Sequence, residues 1–258
     1  MTNLRIATWN IAGGHTINSN ATFDYQGEDL AYFISELKKI EADVICLQES
    51  HINSSRSIAK EIAQKLHFSY VREDAFSPSH IDEDYQLSLA IISKFPFDDS
   101  SSEIFPYPQF KLLWRDGTEA QRHNKGVQII KIGNLTIANA HLLPIRLWNY
   151  RYEVDEGLQF ASKIDEVLRT HLKEPIIFCA DFNFNNPLAI YTSLREKLAL
   201  QDALVNQPIT RPTDDTEKQN PDHILYSKGI SFVRSEVVKT NTDHYLCFAD
   251  FSLDDSLI

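Results

Sequence analysis

Cysteine, glycine and methionine are scarce in this 258-residue chain, at 3, 8 and 1 copies. The three cysteines each sit inside an apolar run: Cys46 in Val-Ile-Cys-Leu, Cys179 in Ile-Phe-Cys-Ala and Cys247 in Leu-Cys-Phe-Ala. That odd count excludes a disulfide scaffold, and the lack of any CxxC spacing excludes a zinc or thiol-redox centre. The thiols read as small buried groups of a reducing compartment. So few glycines exclude a fibrous chain, and a single Met excludes a Met-lined promiscuous groove. Long apolar runs are also missing. Nothing approaches the roughly 18 residues of a membrane span, so no membrane span is expected. Met1-Thr2-Asn3-Leu4-Arg5 runs straight into Ile-Ala-Thr-Trp-Asn, without a signal-peptide pattern, so a cytoplasmic location is expected. Positive charge is short too: 25 Lys and Arg stand against 36 Asp and Glu, a net charge of −11. That balance excludes a protein that coats nucleic acid by net charge. It leaves room for an enzyme that meets phosphate through a metal and a few local cations.

The rest is ordinary globular material, 43% apolar and 24% charged, without repeats, low-complexity tracts or a linker. A single domain over residues 1–258 is expected, as a monomer. Leu30, Phe33, Ile34 and Leu37 follow helical spacing and predict a helix over about 27–40. Ile58, Ile62 and Leu66 predict a second, Trp148 to His171 a third, and a shorter one follows Pro187. Strands are predicted at 4–9, 43–48, 68–73, 86–93, 110–115, 125–132, 134–141, 175–181, 222–227, 230–238 and 244–252. Ile132-Gly133-Asn134-Leu135 reads as a hairpin turn. Residues 98–109 and 206–221 read as loops. Many strands with a few long helices in mixed order predict α/β layers, sheets covered by helices.

The informative pattern is where polar residues fall. By the period of two, Leu4, Ile6, Thr8 and Asn10 share one strand face. Ile45 and Leu47 share a face with Glu49, Leu135 and Ile137 with Asn139 and His141, and Ile177 and Cys179 with Asp181 and Asn183. Four strands thus bury apolar side chains and end in Asn, Glu, His and Asp/Asn. Asp222 and Asp243-His244 stand just ahead of two further strands. Any one of these residues has an ordinary explanation as a turn cap or a polar strand end. The set does not, because a core wants no unpaired charge, and strand ends at one edge are where open sheets place their sites. Asn, Glu and Asp oxygens are hard ligands that suit Mg²⁺ or Mn²⁺ over zinc. A carboxylate can activate water, and a His held by an Asp can contact phosphoryl oxygens or supply a proton.

Thr8-Trp9-Asn10, Leu47-Gln48-Glu49, Ala140-His141-Leu142, Ala180-Asp181-Phe182-Asn183, Asp222-His223-Ile224-Leu225 and Thr242-Asp243-His244 resemble, in order and spacing, motifs of the endonuclease/exonuclease/phosphatase superfamily. Leu89 to Pro96 resembles that group's central strand, and the likeness spans about residues 4–252. It implies a four-layer α/β/β/α sandwich of two mixed β-sheets flanked by helices, with divalent-metal-dependent hydrolysis of phosphodiester bonds at one edge. Carried over position by position, Glu49 is implied as the main metal ligand, with Asn10 and Asp243 close to the metal, Mg²⁺ or alternatively Mn²⁺. Asp181 is implied as the group that activates water, Asn183 and His244 as phosphate contacts, Asp222 as the partner of His244, and His141 as a phosphate clamp or general acid. Ala180 stands where the family usually has Gly, and Thr242 where Ser is common; neither change removes a functional group. His141 points to the histidine-containing, pancreatic deoxyribonuclease-like branch rather than to abasic-site endonucleases.

Substrate clues are fewer. Lys111, Arg115, Arg122 and Lys125 form a local cationic excess interleaved with Phe105, Tyr107, Phe110 and Trp114, a composition that can stack bases and bind phosphates or pack a loop onto the core. Arg122, Lys125, Trp148 and Arg151 are the candidate substrate contacts. Three readings follow: a nuclease or end-processing phosphodiesterase acting on nucleic acid; a phosphatase or phosphodiesterase acting on a lipid headgroup or a small soluble phosphate ester; and a non-catalytic binding module on the same fold.

Overall fold

The computed structural model describes residues 1–18, 25–207, 209–212 and 219–258. Its first sheet orders six strands as β13 (Ser231–Val238), β14 (Leu246–Leu253), β1 (Thr2–Asn10), β4 (Val44–Ile52), β6 (Gln86–Ser93) and β5 (Tyr70–Pro78). The second orders β11 (Gln201–Asp202), β12 (Asp222–Tyr226), β10 (Ile176–Asp181), β9 (Leu135–His141), β8 (Gly126–Ile132) and β7 (Asp99–Ile104). A small hairpin pairs β2 (His15–Ile17) with β3 (Tyr25–Glu28). Both large sheets are mixed: β1 runs parallel to β4 and antiparallel to β14, and β10 runs parallel to β9 and antiparallel to β12.

Alternation along the strands sorts side chains into three apolar layers. Leu4, Ile6, Val44 and Cys46 meet Ile137, Ile177 and Cys179 between the sheets. Ala7, Trp9, Ile45 and Leu47 face outward under α1 (Leu30–Ile40) and α2 (Ile58–Leu66). Ala138, Ala140 and Phe178 face the other way, under α3 (Asp155–His171) and the short α4 (Pro187–Ile190) and α5 (Thr192–Lys197). The result is helix, sheet, sheet, helix, the four layers that burial of a two-faced strand pattern requires.

Local signals set the helix ends. The Asp29 carboxylate accepts from Tyr32 N at 3.0 Å, and Ser57 Oγ from Lys60 N at 3.0 Å, each filling an N-terminal vacancy. Glu41 and His67 close their helices in the left-handed conformation. Gly133 (φ 57°) turns the two-residue loop between β8 and β9.

Three expectations are corrected. Residues 110–115 are not a strand; Leu113 pairs once with Glu119 across a turn, while Phe110 stacks on Tyr150 at 4.0 Å. Their apolar side chains anchor a loop. Residues 98–109 are not all loop: Asp99–Ile104 is the edge strand β7, held by its register with β8 rather than by apolar periodicity. The third helix begins at Asp155, not Trp148. Ile145–Trp148 is a separate 3-10 turn closed by left-handed Asn149. The intervening chain folds back so tightly that a Cβ on Gly157 would lie 1.8 Å from Arg151 O. Of the expected loop at 206–221, residues 208 and 213–218 lie outside the described residues. Among the described residues, no helix is long and apolar enough to cross a membrane.

Candidate active site

The ends of β1, β4, β9 and β10 come together at one edge, as the polar strand ends imply. Parallel register sets His141 beside Asp181, and antiparallel register sets Asp181 opposite Asp222. Asn10 Nδ2 donates to Asp181 Oδ2 at 3.0 Å across the gap between the sheets. His141 Nε2 lies 3.4 Å from Asp181 Oδ2 and 3.7 Å from Glu49 Oε1. His244 Nδ1 lies 2.9 Å from Asp222 Oδ2, and its Nε2 lies 3.7 Å from Asp181 Oδ2. Asn183 N donates to Asp181 Oδ1 at 2.9 Å, and Asn183 Nδ2 to Leu142 O at 2.8 Å. Asp243 accepts from the Tyr25 hydroxyl at 3.1 Å. Seven of the eight expected metal and catalytic residues therefore meet in one connected set of contacts, and Asp243 stands beside them, close enough to His244 to add to the charge that raises it.

Glu49 reaches the set by a route that alternation misses. Ile45 and Leu47 face the helices, so a regular strand would carry Glu49 away from the site. Instead β4 gains one residue against β6 between Leu47 and Ser50, and Glu49 takes φ 52°. Such a bulge re-aims a side chain, and a left-handed Glu costs energy that the surrounding structure must impose. Asn183 is also left-handed (φ 58°), a conformation Asn tolerates better.

Two buried amides fasten the sheets beneath the site. Gln48 Nε2 donates to Asn139 Oδ1 at 2.7 Å and Thr8 Oγ1 at 3.0 Å; Asn139 Nδ2 donates to Leu47 O at 2.9 Å and Ala90 O at 3.1 Å. Both are fully buried.

Electrostatics separate the titrating groups. Burial, with Asp222 adding to it, pushes Asp181 up to about 6 against the opposing pull of His244 and Asn10. Burial would lower His244, but Asp222, Asp181 and Asp243 outweigh it and raise the imidazole to about 10. Burial would raise Glu49, but Lys125, His80 and His141 hold it below the carboxylate range. Burial and then Lys125 keep His141 well below the usual histidine value. Burial and the carboxylates Asp243 and Glu49 raise the Tyr25 hydroxyl.

The substrate candidates separate. Lys125 lies inside the site, with Nζ 3.0 Å from His141 Nδ1 and 3.5 Å from Glu49 Oε1. Arg151 is exposed and lines a cavity beside Asn183. Trp148 is buried, its ring 5.3 Å from that of the half-exposed Trp114. Arg122 is exposed and lies over the Tyr107 ring, 4.6 Å from its centre. Tyr25, the partner of Asp243, carries no sequence signal, since it follows a stretch without strand or helix pattern.

A divalent cation fits this donor set. Asp243 Oδ1 is buried without a partner among the described residues, and the Glu49 carboxylate has long contacts there, 3.5 Å to Lys125 Nζ and 3.7 Å to His141 Nε2. Donor atoms of Asp181, Asp222 and His244 also lie within 4.8 Å of one another. There the 2.9 Å contact already commits His244 Nδ1 to Asp222, which reads as a proton-sharing dyad. Glu49 and Asp243 both face the Tyr25 hydroxyl closely enough to shift it, leaving them the better-disposed hard ligands.

Fold and site together define a hydrolase of phosphate esters built on paired mixed sheets. The sequence profile of the Endonuclease/Exonuclease/phosphatase family matches residues 7–244, and the chain belongs to that family. Among curated proteins none matches it. Solved structures share its fold. An endonuclease/exonuclease/phosphatase from Beutenbergia cavernae is 13% identical, covering 99% of this chain and 73% of that one, with TM-score 0.73. The catalytic domain of human Nocturnin with bound sulfate is 16% identical, covering 98% and 94%, with TM-score 0.65. A mannosyl-6-phosphatase from Bacteroides thetaiotaomicron is 15% identical, covering 97% and 100%, with TM-score 0.62.

Proposed function

We propose that this chain is a Mg²⁺-dependent phosphodiesterase acting on nucleic acid, as a nuclease or an end-processing enzyme. The observation that carries the reading is the unbroken run of contacts from Glu49 through His141 and Asp181 to His244 and Asp222. It supports reading the carboxylates as a site for hard cations, Asp181 as the group that activates water and His244 as a charged imidazole beside it. Glu49 would hold the metal, with Asp243 and Asn10 beside it; Mn²⁺ would suit the same oxygens. When bound, the cation would offset the charge of the phosphoryl oxygens.

The chain's own groups do the rest. Asp181, fixed by Asn10 and the Asn183 amide, has two anchored oxygens. Raised to about 6, it is ionised at neutral pH yet basic enough to take a proton from an attacking water. His244, kept protonated by Asp222, presents Nε2–H toward the scissile phosphate, where it stabilises developing negative charge. His141, held neutral, and the Lys125 ammonium complete the binding edge. Asn183 positions its backbone as a partner of Asp181, while Arg151 extends the contact surface beyond it. Trp148 supports this surface from beneath by backing Trp114, and Arg122 stands at its margin with Tyr107.

A soluble phosphate ester is the second reading, because the same centre would serve a monoester and the mannosyl-6-phosphatase fold overlays nearly the whole chain. The test is a panel of single-stranded, duplex and end-blocked DNA and RNA together with small phosphate esters, each with Mg²⁺, Mn²⁺ or EDTA. Chelator-sensitive cleavage of a nucleic acid supports the reading. Release of phosphate from small monoesters alone replaces it with the second.

A further inference from the structure

Next to Asn183 the active-site edge opens into a cavity of about 760 Å³, large enough for a nucleotide with room to spare. Its walls are chemically distinctive. In a chain of net charge −11, four arginines line it, Arg115, Arg146, Arg151 and Arg211, against Asp116 and Glu153 as the acidic residues among the described ones. Asp116 is committed to its own turn, accepting from Thr118 N at 2.9 Å and Thr118 Oγ1 at 2.6 Å. Arg115 and Arg151 are exposed and make no ion pair or hydrogen bond with any described residue, so their guanidinium forks remain open to a ligand. Trp114, Tyr150 and Phe184 add ring faces to the same walls. The cavity meets the catalytic centre through Asn183 and Pro144, three residues on from His141.

A planar fork matches a phosphate bidentately, and aromatic faces take a base without regard to its sequence. We propose that this cavity is a second anion subsite, which receives a non-reacting phosphate of the substrate and the nucleobase beside it. The preferred substrate class is therefore a nucleotide diester that carries at least one phosphate besides the scissile one. This rests on the phosphodiesterase reading, and it adds a selectivity that the catalytic residues alone do not confer.

The test separates the two. Calorimetry compares thymidine 3′,5′-bisphosphate with thymidine 5′-monophosphate on the full chain in Mg²⁺ buffer at low salt, with no turnover required. The bisphosphate is expected to bind roughly ten-fold more tightly or better, the scale of one charge-assisted contact. The advantage shrinks as salt is raised and falls to within about two-fold in Arg115→Ala/Arg151→Ala. Equal affinities in the parent protein would overturn the subsite, and so would an advantage that survives in the double variant. Hydrolysis of thymidine 5′-(p-nitrophenyl phosphate) in the same buffer reads the phosphodiesterase activity separately. Its loss would count against that reading while leaving the binding comparison intact.

Discussion

Replacing Asp222 by Asn removes one charge from the buried pair it forms with His244 while keeping the side chain's shape. In the parent protein His244 is raised to about 10, burial opposing and Asp222 leading the carboxylates that raise it. A hydrogen bond to a charged partner, here at 2.9 Å, contributes about 1.5–3 kcal/mol. At about 1.4 kcal/mol per pH unit, its loss lowers the imidazole by roughly one to two units. The sign for stability follows. His244 binds its proton more tightly folded than unfolded, so its contribution is complete below about 6.5 and is lost as pH rises through about 10. Metal-free protein should therefore weaken between pH 7 and 10 in urea unfolding. Asp222→Asn should be weaker at pH 7 and should weaken over a lower and narrower pH window. Ring-carbon NMR of EDTA-treated protein reads the His244 titration directly. An unchanged His244 titration in the variant would refute the dyad, whatever happens to activity.

Other outcomes follow from the same geometry. Asp181, raised to about 6 by burial and Asp222, binds its proton more tightly in the fold, so metal-free stability should also decline from about pH 4 to 6; a flat urea-unfolding profile there would count against its burial. Glu49→Gln should cut Mg²⁺ affinity by calorimetry while leaving the thermal midpoint of the metal-free protein near that of the parent. Lys125→Met should tighten Mg²⁺ binding, by roughly ten-fold, because an ammonium 3.5 Å from Glu49 repels the ion the carboxylate would hold; weaker binding would mean that Lys125 organises the ligands instead. Asn139→Ala should cost about 2–4 kcal/mol in denaturant unfolding, since it strands the Leu47 and Ala90 carbonyls and the Gln48 amide in a dry interface.

Much of this arrangement can be read from the chain alone, for a physical reason. Leu4 to Asn10, Leu135 to His141 and Ile177 to Asp181 are regular strands with one face against the inter-sheet core. Period-two counting therefore lands Asn10, His141 and Asp181 on the right face. Glu49 reaches the site by a bulge, a one-residue slip that no periodicity announces. The strand Asp99–Ile104 is polar because it is an edge, held by pairing with β8, so composition reads it as loop. Phe110 and Leu112 mislead in the opposite sense: they are apolar because they pin a loop to α3 and its neighbours, not because they belong to a sheet. The helix expected from Trp148 onward fails because periodicity continues through residues 148–154, where left-handed Asn149 and the close approach at Gly157 impose a turn. Tyr25 and the Gln48–Asn139 bridge depend on contacts between distant segments, and only the folded chain shows them.

Hydrolysis at a shared cation site organised around Asp181 is the central claim. The most direct measurement is product release from the best nucleic-acid substrate by the parent protein and by Asp181→Asn, side by side, with Mg²⁺ and with EDTA. Cleavage by the parent that needs Mg²⁺, and a loss of about 10² to 10⁴ in turnover in a variant that remains folded, is the predicted result. Equal rates in the two proteins, or cleavage indifferent to chelator, would contradict it.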